Sequence, residues 1–115
     1  MIKVKILIID DEEDFCEAIG NFLNTRGFEV LISFNLEQGM KLLKEKKPDI
    51  LILDNNLPDG KGWEHTDQLL RDFPFLKINL ISAFNENTFT YRSYPNVRVW
   101  EKPLSIRNLE ELFSV

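Results

Sequence analysis

Four short apolar runs, three followed directly by a charged residue and one by a serine, constrain this chain more than any other feature. Ile6–Ile9 precedes Asp10 and Asp11, Ile50–Leu53 precedes Asp54, Lys77–Ile81 precedes Ser82, and Val97–Glu101 precedes Lys102. Continuous apolar runs of this length suit strands buried on both faces, and segments of helical period lie between them. That alternation is the mark of repeated βαβ units around a parallel sheet. Crossovers between parallel strands are right-handed almost without exception, so all strands point one way and ligands bind outside their carboxyl ends. Asp10, Asp11, Asp54 and Lys102 then share one edge, where three acids and a lysine suggest a phosphoryl and metal site.

The elements are read as follows. Residues 4–9 form the first strand, and residues 12–26 an amphipathic helix with Phe15, Ala18, Ile19, Phe22 and Leu23 inward, stopped at Gly27. Residues 28–33 form the second strand. Asn35 caps a helix carrying Leu36, Met40 and Leu43, with Gln38 at capping-box spacing; Pro48 ends that segment. The third strand leads through Asn55–Gly62 into a helix presenting Trp63, Thr66, Leu69, Leu70 and Phe73, closed by Pro74. Lys77–Ile81 is the fourth strand. Residues 84–94 are poor in helix formers and predict a short or distorted helix. The fifth strand covers 96–101, and Ser105 caps a last helix with Ile106, Leu109, Leu112 and Phe113 inward.

Composition narrows the function classes. With 115 residues and 43% hydrophobic content, residues 1–115 are expected to form one domain around one core. Nineteen acidic against fourteen basic residues, a net charge of −5, argue against gripping a nucleic-acid backbone. No apolar stretch approaches a membrane span, so a cytoplasmic location is the expectation. One cysteine, Cys16, excludes an internal disulfide.

Read together, Ile8–Ile9–Asp10–Asp11–Glu12, Asp49–Asp54 with Leu57–Pro58–Asp59–Gly60–Lys61–Gly62, Leu80–Ile81–Ser82–Ala83 and Glu101–Lys102–Pro103 resemble the receiver domains of bacterial two-component response regulators. The resemblance implies a flavodoxin-like, CheY-like doubly wound sheet of five parallel strands in order 2-1-3-4-5. It implies that Asp54 accepts a phosphoryl group from a histidine kinase or a histidine phosphotransfer protein. It also implies Mg²⁺ held by Asp11 and Asp54, by Asp10 through water, and by the backbone carbonyl of Asn56. Lys102 and Ser82 would contact phosphoryl oxygens. Such a domain is a signalling module that promotes its own phosphorylation and dephosphorylation, not a conventional enzyme. Its output would belong to an effector elsewhere in a longer chain or to a separate target.

Plainer readings compete at each position. The Asp10–Asp11 pair could cap a helix, Asp54 could begin a turn, Ser82 and Lys102 could be ordinary strand-end residues, and Asp59 is read as structural. Where the family pattern has an aromatic three residues before the lysine, this chain has Val99, and strand alternation puts Trp100 on the opposite face. A phosphorylation-independent interaction module is therefore the alternative. A haloacid-dehalogenase-like phosphatase fits less well, because Asn56 replaces the second acid of its D-x-D motif.

Overall fold

The computed structural model describes residues 3–83 and 94–113. Strands β1 (Lys5–Ile9), β2 (Glu29–Ser33), β3 (Ile50–Asp54), β4 (Lys77–Ser82) and β5 (Val97–Glu101) form a parallel sheet in order β2-β1-β3-β4-β5. Helices α1 (Glu13–Thr25), α2 (Leu36–Lys46), α3 (Thr66–Asp72) and α4 (Ile106–Phe113) cover it. The expected distorted helix at 84–94 falls, for residues 84–93, outside the described residues. Among the described residues no helix is long and apolar enough to cross a membrane.

Alternation along the central strands divides the interior in two. Leu7, Ile9, Leu51, Leu53, Ile78 and Leu80 face α2 and α3, where Leu36, Leu43, Trp63 and Leu69 meet them. Ile6, Ile8, Ile50, Ile52 and Ile81 face α1 and α4, against Cys16, Ile19, Leu23, Leu109 and Leu112. Both faces of the central strands are buried, which is why those strands are nearly all apolar; removing one such leucine side chain costs about 2–5 kcal/mol. As expected from alternation, Val99 packs with the first cluster and Trp100 with the second. The Trp100 indole N–H donates to buried Asn79 Oδ1 at 3.0 Å.

Two inward residues are corrected. Ala18 is exposed, and α1 instead buries Cys16, Ile19, Gly20 and Leu23, with Phe15 and Phe22 partly covered. The helix is rotated toward its small residues, and a Cβ at Gly20 would lie 3.5 Å from Ile32 Cδ1, at ordinary contact with β2. Ile106 is 61% exposed because it opens α4 before the helix reaches the sheet. The third helix also starts later than expected: Gly62–His65 is a 3₁₀ turn leading into α3. Ahead of it stands a hairpin of two-residue strands, Asn56–Leu57 and Gly60–Lys61, too short for periodicity to reveal.

The caps behave as read. Asn35 Oδ1 accepts from Gln38 N–H at 2.8 Å, and Ser105 Oγ accepts from Asn108 N–H at 3.0 Å while Asn108 Oδ1 accepts from Ser105 N–H at 3.1 Å. Gly27, at φ 89°, follows α1 in the left-handed region that glycine tolerates best.

Candidate functional site

Register assembles the site. Ile9 pairs with Leu53, so the next residue, Asp10, lies beside Asp54; Asp54 pairs with Ile81 and Ser82 with Glu101, which brings Ser82 and Lys102 to the same edge. One ligand oxygen from each of Asp10, Asp11 and Asp54 lies within 4.8 Å of the others. Asp10 and Asp54 are buried, whereas Asp11 is exposed.

Local structure then decides what each acid does. The N-cap of α1 is Glu12, without a side-chain capping bond, so Asp11 is not the cap. Asp10 Oδ1 accepts from Glu12 N–H at 2.9 Å. Its other oxygen, Oδ2, is buried and ion-paired with Lys102 Nζ at 2.8 Å. A cluster of carboxylate oxygens from Asp10, Asp11 and Asp54 is the donor set that hard divalent cations take. The residues present therefore fit a metal ion.

The turn role falls to Asp54's neighbours. Asn55 Oδ1 accepts from Trp63 N–H at 3.1 Å and the Asn55 carbonyl from Gly62 N–H at 3.0 Å, folding the loop back over the end of β3. A side chain at Gly62 would collide with the Asp54 carbonyl, so this close approach needs glycine. Asp59 binds the N-terminus of α2, its two oxygens accepting from Leu36 N–H at 2.8 Å and Glu37 N–H at 2.9 Å. Those bonds hold its carboxyl below the ordinary range. Asp59 is structural, as expected.

Burial pushes Asp54 up to about 7, the charge of Asp10 adding to it and Lys102 opposing it. Asp10 is also raised by burial, against the pull of Lys102. Burial lowers the Lys102 pKa, but the contacts with Asp10 and Glu12 outweigh it and the net shift is upward. Burial and the Asp10 charge push the Cys16 thiol up to about 12; its Sγ contacts the Asp10 carbonyl at 3.3 Å. Ser82 is buried at the end of β4, and its carbonyl accepts from Lys102 N–H at 2.8 Å. The Lys102–Pro103 peptide bond is cis. Asn56 is exposed, and its Oδ1 accepts from Lys61 Nζ at 2.7 Å.

The edge thus unites a buried carboxylate poised between protonation states, two further acids and a buried-stem lysine. A family model described as the response regulator receiver domain matches residues 6–113. The chain belongs to that family. It is a signalling domain of the two-component response regulators, and its order of strands is the CheY-like one. This receiver domain is 38% identical over 81 residues to the phosphate regulon transcriptional regulatory protein PhoB of Pseudomonas aeruginosa, covering 70% of this chain and 35% of that one. It is 28% identical over 94 residues to the response regulator protein VraR of Staphylococcus aureus, covering 80% and 45%. The chain therefore spans less than half the length of these relatives. A receiver domain protein (CheY-like) from Methanospirillum hungatei superposes with a TM-score of 0.85 at 22% identity, covering 96% and 90%. A response regulator protein from Burkholderia pseudomallei gives 0.82 at 20%, covering 98% and 68%. These two likenesses speak to the fold alone.

The sequence reading missed Glu12 and Phe15. Glu12 Oε1 lies 2.6 Å from Lys102 Nζ, and the Phe15 ring centroid 4.5 Å from it. The signal available was a third acid directly after the Asp pair.

Proposed function

We propose that Asp54 accepts a phosphoryl group from the phosphohistidine of a histidine kinase or histidine phosphotransfer protein, and that residues 1–115 form one receiver domain. The observation that carries this reading is the buried Asp54 carboxylate, raised to about 7, beside two acids and 4.0 Å from Lys102. An Asp54 oxygen attacks phosphorus in line with the donor nitrogen; the new O–P bond forms as the P–N bond breaks, and its electron pair leaves with the donor imidazole. Lys102 is placed to pair with one phosphoryl oxygen and the Ser82 hydroxyl to donate to another. Asp10, Asp11, Asp54 and the backbone carbonyl of Asn56 would hold Mg²⁺. When bound, the ion neutralises the repulsion between acceptor and donor and polarises the phosphoryl group. Asp10 contributes a buried carboxylate already paired with Lys102, and the Asn55 bonds to Gly62 and Trp63 fix the loop that follows Asp54.

The test is incubation with acetyl phosphate and Mg²⁺. The wild-type chain becomes labelled, and Asp54→Ala and chelation each reduce the label by at least about a hundredfold. Label that persists on Asp54→Ala removes Asp54 from the role.

Val99 favours a second reading, an interaction module whose partner ignores phosphorylation, because the packed position three residues before Lys102 holds no ring to reorient. A partner bound equally tightly with and without beryllofluoride, a phosphoryl mimic, would support it.

A further inference from the structure

Lys102 is held by more than the site's chemistry requires. Its Nζ stands 2.6 Å from Glu12 Oε1 and 2.8 Å from Asp10 Oδ2, but 4.0 Å from Asp54 Oδ1. The lysine side chain is 10% exposed beneath a glutamate that is 59% exposed, and Phe15 stands at 4.5 Å from the ammonium. Glu12 is itself fixed at its root: its N–H donates to Asp10 Oδ1, and its carbonyl accepts the first α1 bond from Cys16 N–H at 3.0 Å. The cation therefore rests nearer to an acid outside the metal cluster than to the nucleophile.

We propose that Glu12 is a positioning residue that competes for Lys102 and so sets how readily the ammonium engages a phosphoryl group on Asp54. The inference rests on the phosphoacceptor reading above. An ammonium has three donors; in the resting domain Glu12 and Asp10 claim its nearest contacts, and reaching an oxygen attached to Asp54 draws Nζ away from Glu12. Glutamine keeps the side chain's size and removes the charge that retains the lysine. Because one partner is exposed, the ion pair is a weak one, and the expected gain in phosphoryl-mimic affinity is about two- to fivefold.

The experiment is a beryllofluoride titration of the full chain at saturating Mg²⁺, followed by backbone amide NMR, for wild type, Glu12→Gln, Lys102→Met and the double variant. The inference expects Glu12→Gln to lower the half-saturating concentration about two- to fivefold, and to change it less than about 1.5-fold in the Lys102→Met background. An equal gain in both backgrounds would show that Glu12 acts only by repelling the anion, and would overturn the inference. So would no gain, or a loss, in the single variant. Wild-type protein that does not bind beryllofluoride at all would overturn the phosphoacceptor reading and this inference with it, whereas binding without a Glu12 effect would overturn the inference alone. A ligand-free readout does not need the Lys102→Met background: the ¹⁵N signal of the Lys102 ammonium shifts in Glu12→Gln if Glu12 holds it. An unchanged signal contradicts the proposal.

Discussion

Asp54 and Asp59 lie at the two ends of one short loop, yet the fold treats them in opposite ways. Asp59 is exposed and has both oxygens satisfied by backbone N–H groups at the start of α2, so its carboxyl stays readily ionised. Asp54 is buried beside another buried acid, and its carboxyl is pushed up to about 7. The contrast teaches how to separate a structural acid from a working one: the first has its charge answered by the chain itself, while the second has its charge left for something else to answer.

The loop that keeps the two acids apart gives the largest expected effect. Gly62→Ala drives a methyl group against the Asp54 carbonyl and should cost roughly 3 kcal/mol in urea unfolding. A cost below about 0.5 kcal/mol would mean the loop is not held as described.

Removing the unanswered acid should do the reverse. The Asp54 carboxyl is raised in the folded state relative to the unfolded value, so the folded chain binds more protons between about pH 4 and pH 7 and loses stability as pH rises through that window. Asp54→Asn, measured with a chelator present, should therefore stabilise the domain by about 1–3 kcal/mol at pH 8 and by less at pH 5. Destabilisation at pH 8 would contradict the contrast between the two acids.

Asp59→Ala should lower the melting temperature while leaving acetyl phosphate labelling in place. Its carboxyl is lowered by folding, so its contribution is present above the ordinary carboxylate pKa and fades as pH falls below it. The difference between wild type and variant should accordingly shrink in acid. Smallest of all is Ile106→Thr, within about 0.5 kcal/mol of wild type, because that side chain is mostly in solvent.

Much of this was legible in the sequence, and the reason is physical. Strands buried on both faces must be apolar throughout, so Ile6–Ile9 and Ile50–Leu53 announce themselves, and a charge at the end of such a run can only stand at the sheet's edge. The position of Val99 and Trp100 on opposite faces follows from the same alternation. What could not be read depends on contacts between distant segments. Nothing near Asp59 says that it meets Leu36, and nothing near Glu12 says that Lys102, ninety residues away, comes to rest on it. The phase of α1 was also misjudged, because hydrophobicity ranks Ala18 above Gly20, whereas the helix turns Cys16, Ile19, Gly20 and Leu23 inward and leaves Ala18 in solvent. The hairpin at Asn56–Lys61 has strands too short to carry a period.

The most direct test is to follow the side-chain carboxyl carbons of Asp54 and Asp59 by ¹³C NMR across a pH titration in the presence of a chelator. The account predicts that Asp54 titrates near 7 and Asp59 below the ordinary aspartate value of 3.8. Two curves that coincide near the ordinary value, or an Asp54 carboxyl that is fully ionised by pH 5, would contradict it.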